Sequence, residues 1–238
     1  MTGKLRAAIL AASIIQGMAA CAAPAASQAT APPPISLSGS SGLVRIPSAD
    51  VLPYGDYSLG VNFLEAKYRS YWASDTMLHF ASVAVFPRVE VTARITNIDG
   101  RLGVQYYDLL PGQAYGGWNF DRAFGVHVQL LKQSARVPVS LAVGDQDVTG
   151  NTAFGARYFV ASHRQPRYGI HLGTGNGFLG KLFAGVDYQP HPKVRIAIDH
   201  DGNRANLGCT IQIQRLLLMP TLSGFRSLGG GIAYWQRM

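Results

Sequence analysis

Residues 88–95 read Arg88-Val89-Glu90-Val91-Thr92-Ala93-Arg94-Ile95, with apolar and polar side chains changing places at every step. Successive side chains of a β-strand point to opposite faces, so this period of two predicts a strand with one apolar and one polar face. The pattern recurs along the chain. Tyr57, Leu59, Val61 and Phe63 alternate with Ser58, Gly60 and Asn62, and Phe124, Val126, Val128 and Leu130 with Gly125, His127 and Gln129. It continues at Phe154–Val160, Val194–Ile198 and Leu207–Ile213.

A soluble sandwich shows the same alternation, so two further features are needed to choose a class. The strands run to about ten residues, the length a tilted strand needs to cross a bilayer. Their connections also alternate in length. Those near 65–75, 98–120, 146–151, 175–180 and 200–203 are long or polar, whereas Pro87, 133–136, 163–166 and 190–192 are short. Short turns at one rim and long loops at the other are the membrane-barrel pattern. The expectation is an all-β protein, an antiparallel transmembrane β-barrel of about twelve strands, with ten as the alternative. The ambiguity lies at Leu216–Leu222, which no turn residue separates from the preceding strand. The final strand, Leu228–Gln236, carries Tyr234-Trp235.

Composition agrees with this class. The 238 residues include 27 Gly, 11 Tyr, 10 Phe and 3 Trp, which suit strands and tight turns. Mean hydropathy is +0.09, and no apolar run long enough for a transmembrane helix follows the N-terminus. The formal charge of +8 comes from basic residues scattered singly through apolar alternation. There is no basic helix or cluster, which argues against a nucleic-acid partner.

Lys4 and Arg6 precede the apolar stretch Ala7–Met18 and the small residues Ala19–Ala23, as in an export signal, here residues 1–21. Cleavage could follow Ala22. Alternatively Met18-Ala19-Ala20-Cys21 resembles a lipobox, making Cys21 a lipidation candidate although Met18 stands in place of the usual Leu. Residues 22–41, rich in Ala, Pro and Ser, read as a flexible tether. The folded barrel is then 42–238, and its opening block 42–55 reads either as a plug-like segment at or inside the periplasmic mouth or as an ordered lead-in to the first strand.

Three stretches resemble the YjbH family of outer-membrane lipoproteins linked to exopolysaccharide production. The first is Gly42-Leu43-Val44-Arg45-Ile46-Pro47-Ser48-Ala49, with Leu52-Pro53 and Gly55. The second is Asp121-Arg122-Ala123-Phe124. The third lies within Pro138–Arg164: Ala142-Val143-Gly144, Asp147, Thr149-Gly150 and Tyr158-Phe159-Val160-Ala161-Ser162, followed by His163-Arg164 where the family has Lys at the first position. Family members are usually much longer, so the resemblance implies a single barrel unit. It also implies a part in exopolysaccharide production or export, with outer-membrane lipid, acidic exopolysaccharide and export machinery as partners. It brings no catalytic residues.

If the apolar face meets lipid, the polar face lines the lumen. Arg94, Arg157, Arg167, Lys181, Lys193, Arg195 and Arg204 would lie there with Glu90, Asp187 and Asp199. They would form either a cationic channel for acidic sugars or an interior ion-pair network. Tyr106, Tyr107, Tyr115 and Trp118 in the 98–120 connection could stack on sugars or form the interfacial girdle. Asp145, Asp147 and Asn151 lack the downstream Glu of an EF-hand loop, and no zinc-type Cys/His spacing occurs, so neither metal nor cofactor is expected. Cys21 and Cys209 are the two cysteines. Two rival functions remain: a purely structural or assembly barrel, and a lipid-modifying enzyme using residues such as Ser82, Ser140, His79, His127 and His171. The second needs a nucleophile, a base and an acid at one rim. No nucleophile elbow occurs, and the expectation is that the protein is not an enzyme.

Overall fold

The strands predicted by the period of two pair in sequence order around a closed ring. The computed structural model describes residues 34–64, 76–97, 104–110, 113–118, 120–148 and 155–237. The signal segment, Cys21 and the first part of the tether lie outside them. The ring comprises β1 (Tyr57–Leu64), β2 (Thr76–Phe86), β3 (Val89–Asn97), β6 (Phe120–Leu131), β7 (Ser140–Asp145) and β8 (Arg157–Arg164). It continues through β9 (Tyr168–Gly175), β10 (Phe183–His191), β11 (Val194–His200), β12 (Ala205–Ile213), β13 (Leu216–Ser223) and β14 (Ser227–Gln236). All neighbours are antiparallel, and β1 closes the barrel against β14 from Tyr57↔Gln236 to Phe63↔Gly230. The barrel therefore has the twelve strands expected.

Between β3 and β6 the chain adds a separate two-stranded hairpin, β4 (Val104–Leu110) with β5 (Gln113–Trp118), where a long connection was expected. Tyr106, Tyr107, Tyr115 and Trp118 lie on it, and their side chains lie outside the described residues.

The strand bounds separate a short-turn rim, with Pro87–Arg88, 165–167, 192–193 and 214–215 but also the eight-residue link 132–139, from a rim whose links 65–75, 98–119, 146–156 and 176–182 are longer but whose links 201–204 and 224–226 are short. Strand β13 was ambiguous because Gln214 and Arg215 are not turn residues by habit. The turn forms nonetheless, with Gln214 at φ 56°.

The wall is apolar outside, and its inner face mixes polar side chains with apolar ones such as Leu78, Phe80, Val160, Phe183 and Leu217. Leu59, Phe124, Leu130, Val186, Ile196 and Ile232 are exposed on its outer face. Ser58, Asn62, Ser82, Thr92, Gln129 and Asn206 are buried on its inner face. The phase differs from expectation in β8. Tyr158, Val160 and Ser162 are buried, while Arg157 and Phe159 are exposed. Both faces of this strand carry aromatic residues, so hydrophobicity alone could not choose between them.

The lumen is filled by the chain's own N-terminal segment. Pro34–Ala49 is buried throughout, folded back on itself through the bridges Ile35↔Ser41 and Gly42↔Pro47. The described folded part thus begins eight residues before the expected boundary at Gly42, and the last part of the expected tether lies inside the barrel. Ile35, Leu37, Leu43, Val44 and Ile46 supply apolar anchors. Two wall glycines make room for them. A Cβ at Gly185 would stand 2.7 Å from Leu43 and 2.8 Å from Ile46, and one at Gly208 would stand 2.7 Å from Val44.

Gly185→Val should therefore unseat the plug and destabilise the barrel by about 1–3 kcal/mol. Ala184→Val, on the exposed face one residue away, should stay within about 0.5 kcal/mol. Urea unfolding of barrel refolded in detergent measures both.

Candidate functional site

An irregular segment inside a barrel cannot use the strand ladder for its backbone N–H groups, and each one left unpaired would be costly. Wall carboxylates meet them. Glu90 on β3 accepts from the Ser41 N–H at 2.8 Å, the Ser41 hydroxyl at 2.5 Å and the Leu52 N–H at 3.0 Å. Asp199 on β11 accepts from the N–H groups of Arg45 at 2.7 Å and Ile46 at 3.3 Å, and from Asn206 Nδ2 at 2.8 Å. Neutral wall groups do the same for plug carbonyls. Asn62 donates to Leu37, Ser82 to Gly39 and Gln129 to Ala49.

Two ion pairs fasten the plug at opposite ends. Toward the long-loop rim, Arg45 meets Asp201 at 3.0 Å and lies 5.6 Å from the Phe178 ring centroid. Toward the short-turn rim, Asp50 meets Arg164 at 2.7 Å. Arg164 also reaches Asp187 at 3.0 Å, and Asp187 takes Arg195 at 2.8 Å and His171 at 2.8 Å. Burial works to raise the pKa of the Asp50 carboxyl, but the charge and hydrogen bond of the facing Arg164 and the nearby His171 together outweigh it, and the carboxyl stays below its usual range.

Cross-strand pairing also brings Ser162, His171 and Asp187 into one line. Ser162 Oγ is 2.7 Å from His171 Nδ1, whose Nε2 is 2.8 Å from Asp187. In serine hydrolases the base faces the serine through Nε2 and the acid through Nδ1, so the ring is reversed here. Ser162 Oγ is also occupied by the Ala49 N–H at 2.7 Å and is 1% exposed. The relay holds the plug and is closed to a substrate in this state. Ser140 and His127, on the adjacent strands β7 and β6, do not face each other: Ser140 lies opposite Ser162, and His127 opposite Gly144.

The sequence-derived lumen cations separate into two groups. Arg94 and Arg195 point inward, and Arg94 donates to the Gln146 carbonyl. Arg157 is exposed at a strand end and pairs with Asp145 at 2.9 Å. Arg167, Lys181 and Lys193 are exposed in connections, and Arg204 is half-buried in the β11–β12 loop. Arg157 leaves the inner face because the phase of β8 is reversed, and Arg167, Lys181, Lys193 and Arg204 because alternation does not extend into turns. Residues not anticipated are Arg45, Asp50, Arg164 and Asp201. The non-alternating block 42–55 was the available signal for the first two.

Inside, each buried arginine is tied to a carboxylate or a carbonyl: Arg45 to Asp201, Arg195 to Asp187 and Arg94 to the Gln146 carbonyl. Two voids between plug and wall hold ≈ 10 and ≈ 20 Å³, about one water each. A larger recess of ≈ 600 Å³ opens at the short-turn rim. Its walls include Arg88, Lys132, Arg164, Arg167 and Arg195, with Asp50 and Asp187 as the carboxylates.

The family model described as exopolysaccharide biosynthesis protein YbjH matches residues 35–182, from the start of the plug to the β9–β10 connection. The chain belongs to the YjbH family. The uncharacterized lipoprotein YjbH of Escherichia coli K12 is 28% identical over 205 residues, covering 69% of this chain and 27% of that protein. The chain thus spans about a quarter of its curated YjbH relative. Two mutants of Rh. blastica porin align with TM-scores of 0.30 at 8% and 9% identity, over 76% of this chain and 98% of theirs. A likeness this loose carries no weight beside the YjbH match.

Removing the Glu90 acceptors by Glu90→Leu leaves the Ser41 and Leu52 N–H groups unpaired, at about 1–3 kcal/mol each. Single-channel recording in planar bilayers should show a closed wild type and a conducting variant. Acid should have a related effect. A carboxyl whose folded pKa is depressed contributes stability above its unfolded value of about 3.9, and loses it as pH falls through the folded value. The Asp50–Arg164 link should therefore hold at neutral pH and fail only below about pH 4. The corresponding part of the acid-induced change in tryptophan fluorescence should be missing in Asp50→Asn.

Proposed function

We propose that the protein is an outer-membrane barrel of the YjbH type that assists exopolysaccharide production or export, acting as a plugged, non-catalytic unit. The observation that carries this reading is a self-plugged lumen inside an apolar outer wall, in a chain whose family is described by exopolysaccharide biosynthesis. A wall with many exposed Leu, Ile, Val and Phe side chains suits hydrocarbon, and a twelve-strand closed ring leaves no unpaired edge there. Short turns face the periplasm in such barrels, which places both ends of the barrel domain and the recess on that side. Its partners are outer-membrane lipid, acidic exopolysaccharide and the export machinery. Residues 1–21 act as the export signal. Acylation of Cys21 fits the lipoprotein name of the E. coli relative.

Deleting the gene in its host should lower secreted uronic-acid polymer, and re-expression should restore it. Unchanged secretion in the deletion would overturn the reading. Palmitate should label the wild type and not Cys21→Ser, with the heat-modifiable band in the outer-membrane fraction.

A further inference from the structure

We propose that the recess at the short-turn rim is a binding site for a carboxylated polysaccharide segment. This rests on the functional reading above and adds the site and the ligand chemistry. Arg164 and Arg195 are engaged by Asp50 and Asp187, the two carboxylates of the recess. Arg88, Lys132 and Arg167 line the same recess and are exposed, with no carboxylate partner among the described residues. Three free cations therefore face a cavity whose own carboxylates are already matched. At ≈ 600 Å³ the recess falls within the range of about 300–1,000 Å³ typical of ligand clefts.

The other wall groups narrow the ligand class. Tyr54 offers an exposed ring beside Pro53, Pro87 and Pro166. Gln189 adds a neutral hydrogen-bonding group. Flat apolar surfaces suit the C–H faces of pyranose rings, amides suit hydroxyls, and guanidinium forks pair with carboxylates. Together these describe an acidic sugar chain better than a lipid headgroup, which offers charge without ring faces.

The test uses the full mature chain refolded in detergent and titrated calorimetrically with hexagalacturonate and, separately, maltohexaose. The acidic oligomer should bind, more weakly as salt rises, and the neutral one should not. Lys132→Glu with Arg167→Glu should weaken binding about tenfold or more while leaving urea unfolding unchanged. Lys181→Glu at the opposite rim should bind as wild type. The site is overturned by equal binding of both oligomers or by an unaffected double variant. It is also overturned if phosphatidylglycerol vesicles bind through these residues and hexagalacturonate does not. The functional reading fails separately: normal secretion in the deletion strain with a binding-competent recess sinks that reading and spares the site, whereas lowered secretion without binding does the reverse.

Discussion

Glu90 is fully buried, and its two carboxylate oxygens accept hydrogen bonds from three groups of a segment about forty to fifty residues earlier in the chain. A barrel of about eight strands can fill its interior with wall side chains alone, and one of twelve cannot. The excess volume must hold water or protein. This barrel takes Pro34–Ala49, and much of the remaining interior follows from the need to satisfy that segment's backbone. Glu90 and Asp199 accept its N–H groups, Asn62, Ser82 and Gln129 donate to its carbonyls, and Gly185 and Gly208 clear space for its apolar side chains.

The plug is held by an ion pair toward each rim, so breaking either pair alone leaves the other in place. Arg45 reaches Asp201 at the long-loop end, and Asp50 reaches the Arg164–Asp187 group at the other. Asp187 is shared by Arg164, Arg195 and His171. The same carboxylate thus ties the plug through Arg164 and Asp50 and through the His171–Ser162–Ala49 chain of hydrogen bonds. Buried groups linked in this way respond together, since removing one member leaves the others short of a partner. Closure is built into the fold, and passage of a polymer through the lumen would require both ends to release.

The strands and their number were legible because a period of two is local and repeats in nearly every strand. The turn at Gln214 was not, since it places a residue other than Gly or Asn at positive φ. The phase of β8 was lost where Tyr158 and Phe159 adjoin, one packing inward against His127 with ring centroids 5.8 Å apart and the other facing out. The plug was legible as a non-alternating block with two prolines, but its extent back to Pro34 was hidden. Its partners lie at separations such as 49 residues for Ser41 and Glu90 and 154 for Arg45 and Asp199, and no local pattern records contacts of that range.

The placement of charge follows from solvent. Inside the lumen a cation without a partner carries an unrecovered desolvation cost, so Arg94, Arg195 and Arg45 are each tied to a carbonyl or a carboxylate. At the mouth, water screens the charge and the cost is small. Arg88, Lys132 and Arg167 can remain unmatched there. Among the described residues, these three cations stand where they can be offered to an outside ligand, not where they would line a channel. Under the proposed function, a plugged barrel with a basic mouth would engage an acidic polymer at its rim before any step that displaces the plug. Reading the dispersed basic residues as one inward-facing set missed this, because alternation says which side of a strand a residue occupies and nothing about how deep in the barrel it sits.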